Sequence, residues 1–279
     1  MIIRHQIGTL LKKLGLYETV HYAFTPHGHI RNFIFFPIMG YLRTKGIGFK
    51  ADQRILELKD KHKGERAFVI ATGPSLTVED VNLISNETTF AVNSIFKLFD
   101  QTDWRPNYYV FLDPILYDRF YDRGYVNLDS FCKNACFLNA LNRKKIKSSK
   151  AYILHVNWLN HITNFGSTYF KFNEDFRFGL YDYYSVTQLS ILLAMYMGYK
   201  DIYLLGVDNN YIGEKTHFQY TEGESKISKN HGYRIQNAND SAYKVIKALA
   251  DERGVNIYNA TRGGRLDVFP RVNLDELMK

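Results

Sequence analysis

The chain has 279 residues, of which 46% are hydrophobic and 23% are charged, so it can form a core and is not globally disordered. Its net charge is +8, concentrated in residues 1–50, where seven Lys or Arg residues face a single acidic residue, Glu18. A nucleic-acid-binding protein carries such charge on its folded domain, so this class is disfavoured. Cys132 and Cys136 lack a second ligand pair and are predicted to be reduced thiols rather than a metal site.

Residues 1–60 are predicted to form a basic, aromatic arm. Apolar residues recur at roughly helical spacing over residues 2–16, and a second apolar run covers residues 33–42. That run has about half of the roughly 20 residues that a membrane-spanning helix needs. Its composition is typical of a segment that lies on an anionic membrane surface, and a helical arm packed on the core or on a partner subunit is the alternative. Nothing resembles a signal peptide, so we expect a cytoplasmic protein, peripheral to the inner face of the cytoplasmic membrane.

Residues 61–279 alternate short apolar strands with amphipathic helices. This pattern predicts an α/β fold, a mostly parallel Rossmann-like sheet with helices on both faces. Two irregular stretches, near residues 157–184 and 209–236, are predicted to be lid loops. The predicted strands are 67–71, 88–92, 107–112, 135–139, 151–156, 201–207 and 255–259, and the predicted helices are 78–85, 94–99, 114–122, 185–198 and 238–253.

The first strand ends in a glycine turn that leads into a helix. The turn consists of Thr72, Gly73, Pro74 and Ser75. Free N–H groups and the helix dipole make such a turn a ready anion site, although a tight connection that binds nothing is equally consistent with the pattern. The sequence has neither GxGxxG nor GxxxxGK[ST].

Small polar or acidic residues follow three further strands, and parallel strands place ligands at their carboxyl ends. These positions predict a binding site built from several strand ends. They are Asn93 and Ser94 after the second strand, Asp113 after the third, and Asp208, Asn209 and Tyr211 after the sixth.

Longer stretches resemble two related families. They are Gly-Pro-Ser-Leu at residues 73–76, Phe-Ala-Val-Asn-Ser at 90–94 and Gly-Tyr-Lys-Asp-Ile-Tyr-Leu-Leu-Gly-Val-Asp at 198–208. One family is the bacterial sialyltransferases of glycosyltransferase family 42, which decorate lipooligosaccharide. The other is the domain-of-unknown-function 115 group, which is similar to archaeal 6-hydroxymethylpterin pyrophosphokinases. The stretch at 102–110 resembles this second group more than it resembles the sialyltransferases.

The resemblance to the sialyltransferases implies roles for individual residues. The turn at residues 73–75 would approach the nucleotide phosphates, and Asn93 would bind the nucleotide or its sugar. Asp113 stands where those enzymes have an asparagine that contacts the donor, a departure that puts a sialic acid donor in doubt. Tyr211 lies near a tyrosine position that steadies the leaving phosphate. Those enzymes need no metal and use a histidine base.

Two histidines are candidates for that base, His231 and His217. A histidine titrates near neutral pH and can deprotonate an acceptor hydroxyl, but each is also consistent with a surface loop residue. Arg234 is a candidate to clamp a diphosphate or carboxylate. Asp208 is a further catalytic candidate, and Asp208 or Asp113 could hold one Mg²⁺ with help from phosphate.

The sequence thus predicts a glycosyltransferase that moves a sugar from a nucleotide-activated donor, for which a CMP-linked sugar is one candidate, to a glycan or lipid-linked acceptor in capsule or lipopolysaccharide synthesis. No cofactor or metal is expected for this activity. One alternative is a pterin pyrophosphokinase that needs ATP and Mg²⁺. Another is a non-catalytic subunit that binds a nucleotide or glycan. A homo-oligomer is compatible with each.

Overall fold

The computed structural model describes residues 28–162, 170–211 and 229–279. The helix predicted over residues 2–16 lies outside this part of the chain. The strands that it contains are β1 (Arg66–Ile70), β2 (Thr89–Val92), β3 (Tyr108–Phe111), β4 (Ala135–Asn139), β5 (Ala151–Leu154), β6 (Val156–Asn157), β7 (Leu180–Tyr181), β8 (Asp201–Leu205) and β9 (Asn256–Asn259).

Seven of these strands form one fully parallel sheet in the order β5-β4-β3-β2-β1-β8-β9. All seven predicted strands lie in it, which confirms the predicted α/β fold. The two remaining strands, β6 and β7, pair with each other in parallel. Because every strand of the main sheet runs the same way, their carboxyl ends meet at one edge.

The helices that the structure describes are α1 (Phe36–Thr44), α2 (Lys50–Gln53), α3 (Val78–Leu83), α4 (Pro114–Asp122), α5 (Leu128–Phe131), α6 (Leu159–Ile162), α7 (Val186–Tyr196), α8 (Lys229–Glu252) and α9 (Leu274–Leu277). A π-helical turn, Arg31–Phe35, leads directly into α1. The helix predicted at 94–99 is a 3₁₀ helix, Asn93–Leu98.

Side chains alternate between the two faces of the sheet, as the pleat of a strand requires. On β1, Ala67 and Val69 belong to one core cluster, whereas Phe68 and Ile70 belong to the other. The first cluster includes α7, whose residues 187–196 are all buried because this helix packs against β1, β2 and β3 and also against α8. The sheet is therefore covered on both faces.

Two predicted boundaries need correction. Helix α8 begins at Lys229 rather than at residue 238, so the second lid loop is shorter than predicted. The buried side of its first turns carries Gly232, Gln236 and Asn239. The sequence therefore lacks the helical repeat of apolar residues that would have predicted a helix there. The stretch 157–184, predicted to be irregular, contains α6 and β7 and part of β6, elements too short to give a period.

Candidate active site

A cleft opens at the carboxyl ends of β1, β2 and β8. Its cavity volume is about 70 Å³. Its walls come from the segments that follow these three strands, from the start of α7 and from the middle of α8. The lining residues are Ala71, Thr72, Gly73, Val92, Asn93, Ser185, Thr187, Gly206, Val207, Asp208, Asn209, Asn210, Tyr211 and Tyr243.

Asn93 and Asn209 have unusual backbones and unsatisfied side chains. Their φ angles are 46° and 50°, in the left-handed region that non-glycine residues enter rarely and asparagine most readily. The side-chain Oδ1 of each is buried and has no hydrogen-bond partner. Buried polar atoms are normally paired. These two acceptors in one cleft therefore mark a place where a ligand with N–H or O–H donors would be held.

Each asparagine is fixed by a neighbour. The Tyr109 hydroxyl donates to the backbone carbonyl of Asn93, and burial raises the pKa of this tyrosine well above its usual value. The Asn209 side-chain amide donates to Asp240 Oδ1 at 2.6 Å. Because its N–H₂ group is committed to Asp240, the orientation of the Asn209 amide is set and its oxygen remains the free acceptor.

Asp240 belongs to a small polar network on α8. Its Oδ1 also accepts from the Gln236 side-chain amide at 3.0 Å, and Gln236 Oε1 accepts from the Tyr211 backbone N–H at 3.2 Å. The segment after β8 is thus held against α8 by side chains of that helix. Sequence reasoning singled out neither α8 residue of this network: Gln236 lies at the end of the stretch predicted to be a loop, and Asp240 lies in the helix predicted at 238–253.

Asp208 connects the end of β8 with the glycine turn. Its Oδ2 accepts from the Ser75 hydroxyl at 2.8 Å and from the Ser75 backbone N–H at 3.3 Å. Its backbone lies so close to Gly264 that a Cβ there would be 2.4 Å from the Asp208 Cα. The carboxylate thus fastens the turn after β1 to the segment after β8, with one oxygen engaged.

The amino terminus of α7 supplies hydroxyls and a helix dipole to the cleft. Ser185 caps the helix and forms a capping box with Gln188, and Ser185 and Thr187 both line the cleft. The positive end of the dipole favours a bound anion. The Ser-x-x-Gln spacing was a signal for this helix start that sequence reasoning did not use.

Two tyrosines complete the cleft, Tyr211 and Tyr243. Burial raises the pKa of Tyr211 to about 12, partly offset by a hydrogen bond with Ser185. Burial also raises the pKa of Tyr243 well above its usual value. Both hydroxyls are therefore protonated at neutral pH.

The structure gathers six of the predicted site residues around the cleft, namely Thr72, Gly73, Asn93, Asp208, Asn209 and Tyr211. Ser75 is not a lining residue, but its hydroxyl donates to Asp208. The remaining described candidates, Pro74, Ser94, Asp113 and Arg234, are not among the lining residues.

Asp113 and Arg234 occupy other positions. Asp113 caps α4, where its Oδ1 accepts from the Ile115 and Leu116 backbone N–H groups at 2.9 Å each. Arg234 is exposed on α8. His231 lies in the first turn of α8 rather than in the predicted loop, and His217 lies outside the described residues.

The sequence matches the family model described as "6-hydroxymethylpterin diphosphokinase MptE-like" over residues 47–214. The chain belongs to the MptE-like family. Membership confirms the resemblance drawn from the stretches at 73–76, 90–94 and 198–208. No curated protein matches the sequence.

Two solved structures are similar to this MptE-like protein. The MAf glycosyltransferase from Magnetospirillum magneticum AMB-1 has a TM-score of 0.48 and 13% identity, over 83% of this chain and 40% of its own. The present chain therefore spans less than half of that enzyme. The sialyltransferase CstII from Campylobacter jejuni, determined with the substrate analogue cytidine-5'-monophosphate, has a TM-score of 0.47 and 16% identity, over 75% of this chain and 85% of its own.

Proposed function

We propose that this MptE-like protein is a glycosyltransferase that binds a nucleotide-activated sugar in the cleft at the ends of β1, β2 and β8. The observation that carries the proposal is the pair of buried, unpartnered oxygens of Asn93 and Asn209. A nucleotide sugar presents many donors, from the base amine to the ribose and sugar hydroxyls. Each would satisfy an acceptor that is costly to leave unpaired.

The charge of the cleft supports a donor with little phosphate charge. Among the described residues that line it, Asp208 is the one charged side chain. A single phosphate could be held by the Ser185 and Thr187 hydroxyls together with the dipole of α7. We therefore propose a nucleoside monophosphate donor, CMP-linked, in preference to a triphosphate.

The chemistry we propose is a direct displacement at the anomeric carbon. The acceptor hydroxyl attacks, its proton passes to a histidine base, and the nucleotide phosphate departs with the bonding electrons. His231 is the first candidate for this base and His217 the second. Tyr211, which stays protonated, is suited to donate a hydrogen bond to the departing phosphate. The proposed acceptor is a cell-surface glycan of capsule or lipopolysaccharide.

A diphosphokinase is the second candidate, favoured by the description of the family. Such an enzyme would transfer diphosphate from ATP to a pterin alcohol with Mg²⁺. The carboxylates predicted for a metal fit this role poorly, because Asp113 caps α4 and Asp208 accepts from Ser75. Within the described residues, no cluster of three or more His, Cys, Asp or Glu side chains is arranged to hold a metal ion.

A nucleotide panel read by thermal shift and calorimetry tests the proposal. CMP, UDP, GDP and ATP with Mg²⁺ are compared on the wild type and on Asn93→Gly, which removes the acceptor and tolerates the left-handed backbone. We expect CMP to stabilise the wild type and to bind the variant about tenfold more weakly, the value of one hydrogen bond.

The matched control is Asp60→Gly. Asp60 also has a left-handed φ, of 53°, but is exposed and is not among the residues that line the cleft, so its substitution should leave nucleotide affinity unchanged. Stabilisation by ATP with Mg²⁺ alone would favour the diphosphokinase. A protein that responds to no nucleotide would leave the non-catalytic glycan-binding alternative.

A further inference from the structure

The segment from Arg31 to Thr44 is a surface helix with one buried side. Asn32, Phe36, Gly40 and Arg43 form that side, and all four are buried. They recur at intervals of four, four and three residues, the spacing of a single helix face. The helix therefore rests on the domain along one stripe and turns the opposite side outward.

Specific contacts fix this buried stripe. The Asn32 carbonyl accepts from the Asn157 side-chain amide at 2.9 Å, and the Arg43 guanidinium donates to the Arg177 and Phe178 carbonyls at 2.8 and 2.6 Å. Gly40 lies so close to Phe178 that a Cβ would be 2.8 Å from its carbonyl oxygen. The orientation of the helix on the domain is thus set by hydrogen bonds and by close packing.

The outward side is apolar, which reverses the usual pattern of a surface helix. Six of its side chains are between 43% and 58% exposed, and we call them the apolar face: Phe33, Ile34, Phe35, Ile38, Met39 and Tyr41. Ile47 and Phe49 continue it in the loop that follows and are 57% and 65% exposed. A contiguous exposed patch of large apolar side chains marks a surface that contacts another apolar phase.

The charged side chains within this segment are of one sign. Residues 28–50 contain no Asp or Glu, and the exposed Lys45 and Lys50 lie just beyond the apolar face. Residues 1–27 add three further Lys or Arg residues against Glu18. A second copy docked here would bring like charges together, which is destabilising, whereas an anionic lipid surface attracts the exposed Lys and Arg side chains of this segment.

We propose that the apolar face inserts into the interfacial region of an anionic lipid bilayer, with Lys45 and Lys50 against the headgroups. Insertion buries the apolar side chains to the depth typical of an interfacial helix and does not require a span. In the part of the chain that the structure describes, no helix combines the length and the hydropathy that crossing a bilayer requires.

This docking has a consequence for the cleft. Gly179, against which Phe36 packs, lies beside the carbonyl of His155, the residue that follows β5. The helix therefore sits at the carboxyl edge of the sheet, the edge at which the cleft opens. A bilayer on the apolar face would therefore lie near the edge that carries the cleft, which is where the lipid-linked acceptor of the proposed function would have to bind.

Vesicle co-sedimentation of the full chain tests the proposal. The vesicles are phosphatidylcholine with or without phosphatidylglycerol, and the proteins are the wild type, the double variant Ile34→Ser/Ile38→Ser and the control Ile115→Ser. Ile115 is 63% exposed on α4 and matches the chemistry of the change away from the apolar face. Thermal midpoints check that all three proteins are folded.

We expect the wild type and Ile115→Ser to sediment with phosphatidylglycerol vesicles at low salt and to be released at high salt. The double variant should bind about tenfold or more weakly, because two anchoring side chains are lost. Equal binding by the double variant would overturn the proposal. So would a wild-type dimer that the double variant dissociates, since a second copy would then cover the face. A wild-type monomer that sediments with neither vesicle type would also overturn the proposal.

Discussion

Gly73 and Asp208 approach each other so closely that no side chain fits between them. A Cβ on Gly73 would lie 2.0 Å from Asp208 Oδ2 and 2.4 Å from the Gly206 carbonyl oxygen. The glycine in the turn is thus required for the approach of β1 to β8, and its own N–H already donates to the Gly206 carbonyl at 2.8 Å.

We predict that Gly73→Ala destabilises the protein as well as closing the cleft. The added methyl must displace the Asp208 carboxylate and a backbone oxygen, which should lower the free energy of unfolding by about 1–3 kcal/mol. Chemical denaturation measures this change. Gly263→Ala is the control, because a Cβ there would lie 3.4 Å from Ser75 and 3.7 Å from Asp208 Oδ1, at ordinary contact distances. Equal stabilities for the two variants would contradict the steric argument.

We predict that His231→Ala lowers the turnover number by about 10²–10⁴-fold, the usual contribution of a positioned base. Affinity for the donor should stay nearly intact, and the acidic limb of the pH–rate profile should disappear. His217→Ala is the parallel variant. Near-normal turnover in both would exclude a histidine base, and Asp208 would be the next candidate.

Arg262 is predicted to stabilise the fold rather than to bind a ligand. Its guanidinium donates to the fully buried Asp80 at 2.6 Å and to both oxygens of Asp275 at 2.7 and 2.8 Å. Arg262→Gln should lower the free energy of unfolding by about 2 kcal/mol, because it leaves a buried carboxylate without its charged partner. Asp275→Asn, at an exposed position, should barely move the thermal midpoint. A larger loss from Asp275→Asn than from Arg262→Gln would reverse this assignment.

Because His155 is largely buried, we predict that the stability of the folded protein depends on pH. Burial lowers the pKa of His155, although the hydrogen bond with Asp52 at 3.2 Å raises it in part. The unfolded chain, with a histidine pKa near 6.5, therefore binds this proton more readily than the folded protein does. The stabilisation that comes from burying the neutral His155 is therefore complete above about pH 6.5. As the pH falls below that value, the free energy of unfolding decreases.

The thermal midpoint should accordingly decrease between about pH 7 and pH 5, and His155→Gln should reduce that slope. Asp52 does not contribute in this window: burial alone would raise its pKa, but His155 and Arg143 hold it below its usual value. His29→Gln, at an exposed position, is the control. An unchanged slope in His155→Gln would exclude this histidine as the source.

The sheet could be predicted from the sequence because its strands are apolar runs bounded by turn residues. Residues 67–71 and 201–207 are of this kind, and the structure places them side by side. Strand order was not accessible, because the pairing of β1 with β8 depends on contacts between residues far apart in the chain. The beginning of α8 was not predicted from the sequence, because Gln236 and Asn239 occupy buried positions that are apolar in most helices.

The strand ends likewise pointed to the residues after β1, β2 and β8, since parallel strands share a carboxyl edge. What the sequence could not show is which polar groups are already used. Asp113 is similar to Asp208 in its position after a strand, yet it caps α4. Asn93 and Asn209 are distinguished by a buried oxygen without a partner, a property that exists only after the chain has folded.

The order of the strands also determines which edge of the sheet is unpaired while the chain is being synthesised. Strands β1 to β5 leave the ribosome well before β8. Until β8 pairs with it, β1 is the edge strand of a five-stranded sheet, and its backbone groups on one side are unpaired. Ser75 and Asp208, which meet across that margin, are 133 residues apart in sequence. An apolar strand left open is a template for aggregation, and contacts of such long range form slowly. Slow or paused synthesis between β5 and β8 would prolong the time during which β1 is unpaired, and should therefore favour insoluble protein.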